Sequence, residues 1–129
     1  MAIRIVRLGT ARVRGEGLRI GTVRRPPRGV RKDDYAKLDY YDLWLPQVAP
    51  SGELVSWIRG RGQDASSWKT FEKRYRSELA APDTRRLLEL LAAMSRQTDF
   101  SVGCYCEEEK RCHRSMLGKV LAELGAELR

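Results

Sequence analysis

The segment FSVGCYCEEEKRCHRS, residues 100–115, decides how the rest of the chain is read. It gathers all three cysteines, Cys104, Cys106 and Cys112, and the single histidine, His113. Residues 100–106 read as a short buried strand and residues 107–111 as a charged loop. Residues 112–128 read as an amphipathic helix, with Met116, Leu117, Val120, Leu121 and Leu124 on one stripe. A helix that starts just beyond a strand leaves free N–H groups and the positive end of its dipole there. This strand–loop–helix junction is where α/β domains build their sites.

Upstream, residues 2–8 (AIRIVRL) are rich in β-branched side chains and carry no breaker, which predicts a first strand. Residues 18–24 predict a second, with Leu18, Ile20 and Thr22 on one face and Arg19 on the other. The run RRPPRG at 24–29 cannot continue it, because two prolines remove backbone donors and Gly29 permits a turn. That stiff loop presents Arg24, Arg25 and Arg28. Residues 33–45 carry Tyr35, Leu38, Tyr41, Trp44 and Leu45 at helical spacing, with a loop as the alternative. Ser51 is suited to cap a helix over 53–59, Ser66 or Ser67 one over 68–79, and Pro82 to open a third over 82–96. Strands alternating with helices predict a three-layer α/β fold, a mostly parallel sheet flanked by helices, as a single domain over residues 1–129.

At 129 residues, the chain can bury a core without staples. With 42% apolar and 33% charged residues it has the composition of a globular protein, without a membrane-length apolar run or a leader-like apolar stretch behind Met1. The expectation is a cytoplasmic protein without a membrane partner. An odd number of cysteines, two of them only two positions apart, predicts reduced thiols rather than a disulfide framework. The net charge of +8 is concentrated early, where residues 1–32 hold ten basic side chains and one acid, Glu16. Arginine dominates, with 19 of the 25 basic residues. Its fork suits phosphate, so the basic balance points to a phosphorylated small molecule or a nucleic acid as partner. A solvated arginine-rich surface is the plainer alternative.

Several motifs occur in order: PRG at 27–29; APS at 49–51 followed by Leu54 and Trp57; F-x-x-R-Y-x-x-E-L at 71–79; and Cys104 with a later Cys112-His113-Arg114. In combination they resemble the YeaO-like group of the family called domain of unknown function 488, over about residues 21–128. The resemblance implies a compact α/β domain of uncharacterised activity. Many members show an acid where this chain has Cys106, so a role resting on that carboxylate does not carry over.

Three chemistries are open at residues 104–115. The first is anion binding: His113, Arg114 and Ser115 lie in the first helical turn, and Arg24 or Arg28 can reach the same crevice from another strand end. The second is a metal-stabilised or purely structural interaction module. Cys104, Cys106, Cys112 and His113 have the number and type for zinc, although C-x-C followed by adjacent Cys-His lacks the usual C-x2-C knuckles. The third is thiol chemistry with Cys104, Cys112 and His113 as catalytic candidates, since a thiol beside a helix N-terminus and arginines can ionise readily. A phosphatase-type loop, with arginine six positions after the cysteine, is not present. Binding is the leading reading, and no cofactor is expected. Trp44, Tyr40, Tyr41 and Trp68 offer faces for bases, with core packing as their plainer role.

Overall fold

The computed structural model describes residues 1–61, 64–106 and 112–129. The predicted charged loop at 107–111 lies outside the described residues. Four parallel strands form the sheet: β1 (Ile3–Arg7), β2 (Leu18–Gly21), β3 (Leu43–Trp44) and β4 (Phe100–Cys104). Their spatial order is β1-β4-β2-β3, with Phe100 in register with both Ile3 and Leu18. The fold is α/β with an all-parallel sheet, as the alternation of elements predicts.

β4 occupies the centre because it can be buried on both faces. All five of its residues are buried, the pattern of an interior parallel strand. Phe100 and Val102 face the helical layer, where they join Ile3 and Ile20 in one apolar cluster. Each such side chain contributes about 1.5–3 kcal/mol on full burial. Gly103 lets β1 pass closely, since a Cβ there would run into the carbonyl oxygen of Val6. Gly17 has φ +78°, which favours glycine, and a Cβ would strike the Asp99 carbonyl.

Helix α1 (Gly52–Arg59) starts where predicted: Ser51 accepts from the Leu54 N–H at 3.2 Å, and its own hydroxyl donates to Glu78 at 2.5 Å. Helix α2 (Ala65–Leu79) is capped by Asp64 rather than by Ser66 or Ser67. The carboxylate takes both the Ser67 N–H, at 2.7 Å, and the Ser67 hydroxyl, at 3.0 Å, so Ser67 donates instead of capping. Pro82 opens α3 (Pro82–Met94), and α4 (His113–Glu123) packs its Met116, Leu117 and Leu121 into the main core. Among the described residues, no helix is long and apolar enough to cross a membrane.

The opposite face of the sheet is covered by irregular chain. The segment read at helical spacing, 33–45, is a 3₁₀ turn at Lys32–Asp34, further turns and then β3. Asp39, at φ +61°, reverses the chain and ends any helical path. Beneath this layer Arg19 is 1% exposed. It donates to both carboxylate oxygens of Glu16, at 2.7 and 2.9 Å, and to the carbonyls of Thr10 and Asp39 at 2.8 and 2.7 Å.

Candidate functional site

The carboxyl ends of β1, β2 and β4 open into one crevice of about 1300 Å³. Three walls form it, each positioned by a separate piece of local chemistry. The first is the loop that follows β2. Arg24 donates through Nε to the Pro50 carbonyl at 2.9 Å and through Nη2 to Ala49 at 3.1 Å, strapping the loop to the start of α1. Trp44 Nε1 donates to Val23 O at 2.7 Å and fixes the same loop from the β3 side.

The second wall is one face of α1. Gly52, Val55, Ser56 and Arg59 all line the crevice, the spacing of a single helical face. The exposed Arg59 makes no ion pair among the described residues. The third wall comes from the end of β4 and the first residues of α4, with Cys104, Cys106, Cys112 and His113 on the crevice. Cys112 is the N-cap of α4 and its side chain makes no capping hydrogen bond.

The charge of the lining is one-sided. Arg7, Arg24, Arg25, Arg28 and Arg59 contribute, and no carboxylate does so among the described residues. Arg114 lies behind the wall rather than on it, 5% exposed. Its Nη1 donates to Val6 O at 3.4 Å, a long contact, and its Nε makes no hydrogen bond. Among the described residues no carboxylate pairs with this guanidinium, so it adds positive charge beside the crevice. The Ser115 hydroxyl donates to the Cys112 carbonyl at 3.0 Å. Of the five residues expected to meet an anion, Arg24, Arg28 and His113 therefore share the crevice, while Arg114 and Ser115 do not line it.

His113 is tied down. Its Nε2 lies 2.7 Å from the Thr22 carbonyl, and because a carbonyl only accepts, Nε2 carries the proton. Tyr75 meets the ring edge-on at 5.8 Å. Burial pulls the imidazole down to about 4, aided by the charge of Arg114 and opposed by the bond to Thr22. His113 is thus neutral at pH 7.

Cys104 and Cys112 are buried against Leu8, Val23 and Tyr41, and their sulfur atoms meet as a disulfide pair in place of the separate thiols expected. Cys106 is free and exposed. Burial of its sulfur pushes the thiol up, against the pull of Arg114, Arg59 and Arg7, which weighs against a readily ionised nucleophile in this form. The three sulfurs all lie within 4.8 Å of one another.

A family model described as the active DUF488-N3 subclade, DUF488-N3a, matches residues 3–125. The chain belongs to the DUF488 family. Searches of curated proteins and of solved structures gave no match. The match starts at β1, so the DUF488 unit extends further toward the N-terminus than the motif resemblance from about residue 21 indicates. Arg7 and Arg59 were not singled out from sequence, because only the fold brings the end of β1 and the end of α1 to the junction at residue 112. One signal for Arg59 was present: it follows Gly52, Val55 and Ser56 at one-face spacing on a short helix.

Proposed function

We propose that this DUF488 protein binds a phosphate-bearing ligand, a nucleotide or a nucleic-acid strand, in the crevice at the carboxyl edge of its sheet. The observation that supports this reading is the lining: Arg24, Arg25, Arg28 and Arg59 stand on it and, among the described residues, none of these four has a carboxylate partner. A structural arginine surface interleaves acids with its bases, as Arg12 does with Asp42 at 2.7 Å elsewhere on the molecule. A crevice of one sign concentrates anions and speeds their arrival.

Two further features support it. Among the described residues the N-cap of α4, Cys112, makes no side-chain capping bond, which leaves the positive end of the helix toward the crevice. The buried Arg114 adds charge from behind. Trp68 and Tyr40 also line the crevice and supply flat faces for bases. Trp68 is itself stacked on Phe71 at 4.8 Å, which holds its ring in place.

The test is fluorescence anisotropy with labelled nucleotides and a single-stranded oligonucleotide, comparing the native chain with Arg59→Ala. Arg59 is exposed and its removal leaves the core intact. Loss of one charge-assisted phosphate contact weakens binding about tenfold. For the oligonucleotide, the slope of log affinity against log salt becomes shallower by about 0.7. Equal affinity of the two chains for every ligand, or no binding to any, overturns the proposal.

A further inference from the structure

The sulfur cluster carries an inference independent of anion binding. Cys104 ends β4, Cys106 follows two residues later, and Cys112 caps α4, so strand end and helix start bring three thiols to one wall of the crevice. Their sulfur atoms lie within 4.8 Å of one another. Two zinc-bound thiolates sit about 3.8 Å apart when each Zn–S bond is about 2.3 Å in tetrahedral geometry. The cluster is therefore compact enough for all three to reach one ion.

The backbone favours such a bridge over a direct sulfur–sulfur bond. The Cα atoms of Cys104 and Cys112 are 7.7 Å apart, whereas disulfides usually span about 4.4–6.8 Å. An ion between two sulfurs lengthens the bridge and suits the wider separation. Charge points the same way. Three thiolates and one dication make a complex of net charge −1, and the guanidinium residues Arg7 and Arg59 line the same crevice as the three cysteines. Those guanidiniums would repel a bare cation but favour the thiolate-bound complex.

We infer that the reduced protein holds one zinc ion on Cys104, Cys106 and Cys112, with a fourth coordination position open to the crevice. His113 does not fill that position through Nε2, which is bound to the Thr22 carbonyl. Three protein ligands and one open site is the pattern of zinc that meets exogenous ligands rather than of closed structural zinc. Binding deprotonates up to three thiols, so it releases protons and strengthens as pH rises. The Cys104–Cys112 disulfide is the form left when the same site loses its ion and two electrons to an external thiol oxidant.

The test uses the full chain, reduced and freed of metal, titrated with Co²⁺ as a spectroscopic stand-in and then with Zn²⁺. Expected are a thiolate-to-cobalt charge-transfer band saturating at one ion per chain and its displacement by zinc. Zinc should also shield all three thiols from a colorimetric thiol reagent until a chelator is added. Cys106→Ser removes an exposed ligand without opening the core. It should weaken zinc binding on the order of 100-fold while far-ultraviolet circular dichroism stays unchanged. The inference is overturned if the reduced native chain gives no charge-transfer band, if Cys106→Ser binds cobalt as the native chain does, or if zinc leaves the thiols unshielded.

Discussion

Two arginines are buried among the described residues, and they are buried in opposite ways. Arg19, 1% exposed, is met by both oxygens of Glu16 and by two backbone carbonyls. Arg114, 5% exposed, has one long contact to Val6 O and an Nε without a hydrogen bond. The first is a closed account of charge beneath the irregular layer, on the face of the sheet away from the helices. The second has no ion pair among the described residues and stands beside the crevice. Satisfied burial marks structure; the less satisfied burial of Arg114 is what the proposed anion at this end of the sheet would complement.

The largest expected effect comes from opening the closed account. Glu16→Ala leaves Arg19 buried without its carboxylate and Ser101 without its acceptor, and should destabilise the fold by about 3–5 kcal/mol in denaturant unfolding. A loss below about 1 kcal/mol would break the comparison, because Arg19 would then be no better placed than Arg114.

A smaller effect follows from acid. Burial pushes the Glu16 carboxyl up, but hydrogen bonds from Arg19, Ser101 and the Val13 N–H, with the charge of Arg19, outweigh it and bring it down to about 2 from 4.5. Hence the unfolded chain takes up this proton first. The stabilisation is fully present above pH 4.5 and is lost as pH falls from about 4.5 toward 2. Thermal unfolding of the native chain across that window should show the decline, and Glu16→Gln should flatten it.

The smallest expected change in stability is at the other arginine. Arg114→Met replaces an unpaired buried cation by an apolar chain of similar reach, and should shift stability by no more than about 1 kcal/mol in either direction. Ligand affinity should fall with it, read by the same anisotropy titration. A loss as large as that of Glu16→Ala would make Arg114 structural and erase the contrast.

Much of the scaffold was legible in the sequence, because local signals and tertiary demands agree there. The apolar run at 100–104 became the central strand, and Ser51 became a cap on α1. Where they disagree the pattern misled. Tyr35 and Tyr41 are at helical spacing, yet they pack edge-to-face at 5.2 Å through a chain reversed at Asp39. β3 is two exposed residues, Leu43 and Trp44, held by pairing with β2, and offers no alternation to detect. Glu16 carried a signal, as the one acid of a basic stretch three residues before a strand arginine. The strand-to-helix junction at residue 112 was legible, and so was its sulfur content. The crevice's arginines were only half legible, since Arg24 and Arg28 sit on a stiff loop while Arg7 and Arg59 arrive from elements distant in sequence.

The strap made by Arg24 joins two crevice walls through backbone carbonyls, which neither titrate nor exchange partners with dissolved ions. Salt would therefore screen what draws the proposed ligand inward without altering the spacing of the walls that would receive it. Attraction and fit would then answer to different variables: ionic strength would set how often the cleft is visited, while its shape would decide which visitors remain.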